Sequence, residues 1–116
     1  MNYKDLMVWQ KSISLVKTIY KIIKLLPKDE LYGLSDQIRR SAVSIPSNIA
    51  EGFERNSIKE YIHFLYIALG SSSELETQLI ICKEIGFIQE IDAVTNDIDE
   101  IKKMLNGLIS SLKRKI

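Results

Sequence analysis

The sequence predicts an all-α protein: an antiparallel up-down four-helix bundle built from residues 1–116 as a single domain. Three observations predict it. Apolar residues recur at steps of three and four along nearly the whole chain, which gathers them on one side of each helix. Only two prolines and five glycines punctuate 116 residues, too few for a many-stranded β protein. The joints between periodic stretches are short, so successive helices must fold back on one another.

Helix one is expected over residues 5–26. Leu6, Trp9, Ile13, Val16, Tyr20 and Ile23 form one row, and Val8, Leu15, Ile19, Ile22 and Leu26 widen it into a core-facing side. Pro27 has no N–H to continue the ladder, so the helix ends there. Helix two is expected over 30–54, with Leu34, Ile38, Ala42, Ile45 and Ile49 in register and Gly52 as its stop. Pro46 falls inside that row and removes a backbone donor. A kink near Pro46 is expected, the alternative being a break into two helices at Ile45–Pro46.

Helix three, expected over 57–85, opens with a capping box. Ser57 caps the backbone, and Glu60, three residues later, reciprocates. Tyr61, Leu65, Ala68, Ser72, Leu75, Leu79 and Cys82 carry the row on to Gly86, a left-handed terminator. Helix four is expected over 87–115, through Ile88, Ile91, Val94, Ile98, Ile101, Leu105, Leu108 and Leu112. Its first half is acidic and its last turn is Lys113-Arg114-Lys115, the polarity a helix dipole favours.

Composition narrows function mainly by exclusion. Apolar residues are 46% and charged residues 27%, the balance of a globular domain rather than a disordered one. Sixteen basic against fifteen acidic residues leave a net charge of +1, so the whole molecule is no polyelectrolyte binder. One cysteine excludes a disulfide framework, and one histidine leaves little for a metal site. Met1-Asn2-Tyr3-Lys4-Asp5 lacks the order of a signal peptide, and the longest uncharged stretch is too short to span a bilayer. A cytoplasmic location without membrane contact is expected.

Candidate chemistry is thin. Glu60-Tyr61-Ile62-His63 has the Glu-x-x-His spacing of dinuclear metal bundles, but those need two such motifs plus two further carboxylates. Cys82 sits in the core row with no histidine near it in sequence, the setting of a structural thiol. Ser71-Ser72-Ser73 lacks a base, there is no Gly-rich phosphate loop, and Gly70 and Gly107 read as close helix contacts. No catalytic, cofactor-binding or metal-binding residue is assigned, no small-molecule substrate is evident, and an enzyme is not expected.

The uncharged runs are more informative. Ten residues without formal charge separate Arg40 from Glu51, and thirteen separate Glu60 from Glu74. Thirteen residues circle a helix more than three times at about 3.6 per turn, so every side of helix three lacks charge there. A homo-oligomer is therefore expected, with Val43, Ser44, Asn48, Tyr61, Phe64, Tyr66 and Ile67 as interface candidates. The alternative is that scattered apolar side chains are tolerated at the surface. Beside the apolar row of helix two, Gln37, Ser41, Ser44, Asn48 and Glu51 form a polar line, and helix three offers Ser71, Glu74 and Gln78. Two readings stand: paired lines that hydrogen-bond and set register, or a solvated flank.

Charge is unevenly spread. Residues 1–59 carry +4, residues 60–101 carry −8 and residues 102–116 carry +5. Lys17, Lys21, Lys24 and Lys28 share one face of helix one, and the bundle places this cluster and the C-terminal one at opposite ends. Multiplied in an oligomer, Lys17, Lys21, Lys24, Lys28, Arg39, Arg40, Arg55, Lys113, Arg114 and Lys115 make a candidate nucleic-acid surface that reads backbone rather than sequence. The acidic middle of the chain opposes this, and a lysine face also serves plain solvation.

Four segments carry a family resemblance: Asp5-Leu6-Met7-Val8-Trp9-Gln10-Lys11, Tyr32-Gly33-Leu34, the run from Gln37-Ile38-Arg39-Arg40 to Ala50-Glu51-Gly52, and Gly70-Ser71-Ser72-Ser73-Glu74 through Leu79. The chain resembles the four-helix-bundle family named for proteins encoded in intervening sequences of bacterial 23S ribosomal RNA genes. The resemblance implies a homopentamer with a central channel. It also implies similarity to the strongly basic accessory protein of diversity-generating retroelements, which works with a reverse transcriptase. Arg39, Arg40 and Arg55 are the matching basic positions, although the net charge is far lower here. Genes of the family occur outside ribosomal RNA operons, so the name does not establish a ribosomal role. Two function classes follow: an accessory module that works with nucleic acid or a reverse-transcriptase-like protein, and a protein-interaction scaffold that binds no nucleic acid.

Overall fold

The computed structural model describes all of residues 1–116. Four helices form it: α1 (Met7–Ile23), α2 (Leu34–Phe53), α3 (Ile58–Glu84) and α4 (Asp92–Lys113), with 3-10 turns at Tyr3–Asp5 and Lys28–Glu30. Each helix packs on its neighbours in sequence, α4 closes on α1, and the diagonal pairs do not meet. The rod measures 46 × 24 × 20 Å.

Direction follows from which residues face each other. Tyr20 shares a groove with Arg40, while Trp9 shares one with Ala50. Ser41 bonds Gln78 and Ser44 bonds Ser71. Glu76 pairs with Lys102, and Tyr66 lies under Lys113. In each seam the numbers fall on one helix as they rise on the other, so neighbours run antiparallel.

One apolar cluster fills the centre. Leu15, Ile19, Ile38, Ile45, Leu65, Leu75, Ile98 and Leu105 are fully enclosed. Burying each such side chain stabilises the fold by about 1.5–3 kcal/mol relative to exposure, more than any helix propensity supplies. The predicted rows of helices two to four line this core closely, whereas in helix one the second row (Val8, Leu15, Ile19, Leu26) carries it, the first row lies at its margin and Tyr20 is exposed.

Helix ends differ from the expected ones. Tyr3–Asp5 is a separate turn in which Asp5 accepts from the Asn2 N–H and Asn2 accepts from the Lys4 N–H. Extended backbone at Leu6 divides it from α1. Pro27 unwinds the residues before it, so α1 stops at Ile23 while Leu26 still reaches the core. α2 runs unbroken through Pro46, which excludes two separate helices.

The largest departure is helix four, which starts at Asp92 rather than residue 87. Gly86 turns left-handed at φ 85. The Phe87 N–H reaches back to the Cys82 carbonyl at 2.9 Å and the Gly86 N–H to Lys83 at 3.1 Å, a Schellman stop. Residues 87–91 then form a connector. Ile88 and Ile91 are buried in it, so they mimic helical spacing without a helix. Glu90 accepts from the Asp92 N–H at 2.9 Å at the start of α4, and that bond holds its carboxyl below the ordinary value.

Candidate interaction surfaces

The polar lines of α2 and α3 meet. Ser41 Oγ lies 3.0 Å from the Gln37 carbonyl, 2.9 Å from Glu74 Oε1 and 3.0 Å from Gln78 Oε1. One hydroxyl proton serves one of the three, and the carboxylate is the strongest acceptor. Gln78 Oε1 is a further acceptor of the same hydroxyl, so Ser41 ties α2 to two side chains of α3. Ser44 and Ser71 hydroxyls bond at 2.8 Å, and Asn48 Nδ2 donates to both the Ser44 carbonyl and its hydroxyl at 2.8 Å. The seam is thus bonded within one chain, not merely a solvated flank.

At the end of this seam α2 and α3 pack tightly at Gly52. Tyr61 and Phe64 are half-buried against Gly52, and Phe53 packs edge-to-face on Tyr61 with ring centres 5.9 Å apart. Burial pushes the Tyr61 phenol up from its ordinary pKa. Of the interface candidates, then, Ser44, Asn48, Tyr61 and Phe64 already make contacts inside the chain. Val43 is exposed but faces the α1–α2 side, beside Trp9 and Tyr20.

Tyr66 and Ile67 stand outside, 45% and 38% exposed. The same helix exposes Ile80 and Ile81 further on, at 45% and 43%, and Ile85 just past its end is 55% exposed. The outer side of α3 therefore carries exposed apolar side chains in its second half as well as in the expected first half, with Ser73, Glu74 and Thr77 between them. Leu79-Ile80-Ile81 was the missed signal: three successive apolar residues span too much of a helix to be buried together. Gly70 and Gly107 are not close helix contacts, because a side chain at either would meet nothing within 4 Å.

The basic candidates divide into two groups. Asp36 holds Arg39 and also accepts from Arg40 Nε at 3.0 Å. Arg55 reaches Glu51 at 3.4 Å and Glu60 at 3.7 Å and lies 4.9 Å from the Phe64 ring centre. Lys113 sits 5.3 Å from the Tyr66 ring centre. Lys17, Lys21, Lys24, Lys28, Arg114 and Lys115 are exposed with no carboxylate within 4 Å. Arg55 and Lys113 occupy the pole of the α3 N-terminus, and Lys24 and Lys28 the opposite pole.

Glu60 is taken by Arg55, His63 is exposed against Phe64, and no three metal-ligating side chains converge anywhere. Cys82 is enclosed in the core. No helix is long and apolar enough to cross a membrane.

A one-core four-helix bundle whose distinctive features are contact surfaces is a helical-bundle module. The chain belongs to the 23S rRNA-intervening sequence protein family, whose family model matches residues 4–107. Among solved structures it is similar to a protein of unknown function from the S23 ribosomal protein family of Bacteroides thetaiotaomicron VPI-5482. That likeness has 31% identity and a TM-score of 0.82, and covers 89% of this chain and 98% of the other. None of the curated proteins matches this chain.

Proposed function

We propose that the protein is a non-enzymatic homo-oligomeric module whose copies join through the outer side of α3. The observation that carries this reading is the exposed row Tyr66, Ile67, Ile80, Ile81 and Ile85, with Gly70 leaving a gap between its two halves. Exposed apolar side chains strung along one helix are what a self-complementary contact uses. Five copies is the number that the family resemblance implies. Sedimentation equilibrium tests it: a species several times 13.3 kDa is expected, and Ile67→Glu with Ile81→Glu should return it to a folded monomer. A wild-type monomer at micromolar concentration would refute the reading.

A second reading, association with nucleic acid, is favoured by one observation. Lys17, Lys21, Lys24 and Lys28 are free of carboxylates, while Arg39, Arg40 and Arg55 are engaged. Binding through them is read from salt dependence: each Lys→Gln change should lower the slope of log K against log salt by about one. Absence of binding to duplex RNA and single-stranded DNA in low salt leaves the scaffold reading alone.

A further inference from the structure

The α1–α2 hairpin forms a half-open pocket of about 320 Å³, at the lower end of the range for small-ligand sites. Tyr20, Ile23, Leu26, Pro27 and Leu31 wall it, and Lys24, Lys28 and Arg39 also line it. No carboxylate is among its lining residues. The nearest carboxylate on α2, Asp36, faces the neighbouring groove, where it holds Arg39 and Arg40.

The remaining lining residue is Ser35, only 5% exposed. Five polar side chains are buried in the chain. Ser12 bonds the Trp9 carbonyl, Ser72 bonds the Ala68 carbonyl, and Ser41 and Gln78 bond each other. Ser35 alone makes no hydrogen bond. No fully enclosed polar side-chain atom in the chain lacks a partner, so the Ser35 hydroxyl is open to the pocket and free to donate to what occupies it. Ser35 also stands in the first turn of α2, which begins at Gly33 without a side-chain cap. The N–H groups of Leu34, Ser35 and Asp36 have no backbone acceptor, so the positive end of the helix dipole adds to the cations.

We propose that this pocket binds a small amphipathic anion. An apolar body packs on Ile23, Leu26 and Leu31, and an oxyanion head accepts from Ser35 Oγ, Arg39, Lys24 and Lys28. A polyanion without an apolar body would leave the walls unused, and a neutral lipid would leave Lys24 and Lys28 without a counter-charge. The reading does not depend on the oligomer proposed above.

The test is an amide chemical-shift titration of the isotope-labelled full chain with decanoate, decyl phosphate, decanol and inorganic phosphate. Saturable shifts centred on Lys28, Leu31, Ser35 and Arg39 are expected for one or both amphipathic anions, the tighter one identifying the head. Decanol and inorganic phosphate should each bind about tenfold more weakly or less. Ser35→Ala combined with Lys28→Gln should weaken decanoate or decyl phosphate by about tenfold, with the unfolding midpoint retained as the control for folding. Equal binding of decanol, shifts centred on another surface, unchanged affinity in that variant, or no saturable binding would each overturn the proposal.

Discussion

Gly52 lies so close to Phe64 that a methyl group at position 52 would stand 2.8 Å from the Phe64 Cβ. Tyr61 closes the same space, its ring carbon 3.1 Å and its carbonyl 3.2 Å from that point. Alanine normally stabilises a helix interior relative to glycine, by about 1 kcal/mol. Here the sign reverses, because the neighbours are a Cβ and backbone that cannot step aside. Gly52→Ala should lower stability by about 1–3 kcal/mol through overpacking, read from the urea midpoint.

The other helical glycines are opposite in kind. Gly70→Ala and Gly107→Ala meet open space, so each should raise folding stability by about 0.4–1 kcal/mol. They should part company in sedimentation: the Gly70 variant, on the outer side of α3, should self-associate more weakly, and the Gly107 variant as well as wild type.

Ser41 is the hub of the α2–α3 seam. Ser41→Ala leaves buried Gln78 without that partner and frees the Glu74 carboxylate toward water. The expected cost is about 1–3 kcal/mol. A cycle with Gln78→Leu should recover part of it, since removing both partners removes the unpaired group.

Cys82 is enclosed, and burial first, then the Glu30 carboxylate, pushes its thiol above the ordinary value. A folded-state pKa raised above the unfolded one gives stability that is full below the unfolded value, about 8.5. That stability drains away as pH rises through the native pKa. Alkaline stability should therefore fall faster in wild type than in Cys82→Ala. A thiol-reactive chromophore should label the native chain slowly at pH 8 and the urea-unfolded chain at once.

Much of this fold was legible because one rule governs it. Val8, Leu15, Ile38, Leu65 and Leu105 sit at helical spacing, and core burial selects that spacing directly. Residues 87–91 misled for the same reason, since Ile88 and Ile91 keep the rhythm in a connector and only the geometry at Gly86 reveals the stop. The polar seam was visible as two lines but not as bonded, because α2–α3 register is a tertiary fact. The hairpin pocket had no sequence signal. Ser35 belongs to no motif, and its lack of a partner exists only once α1 and α2 are side by side.

The Gly52 contact has a kinetic consequence. α2 and α3 share the most extensive helix contact, joined by only Glu54 to Ser57, so it costs the chain little loop entropy to bring them together. This hairpin is where a folding nucleus is expected, with α1 and α4 docking later, and Gly52→Ala should then slow refolding more than it speeds unfolding. On that order, the helix that carries the exposed isoleucines would take shape before the bundle has closed, with its outer side already open to solvent.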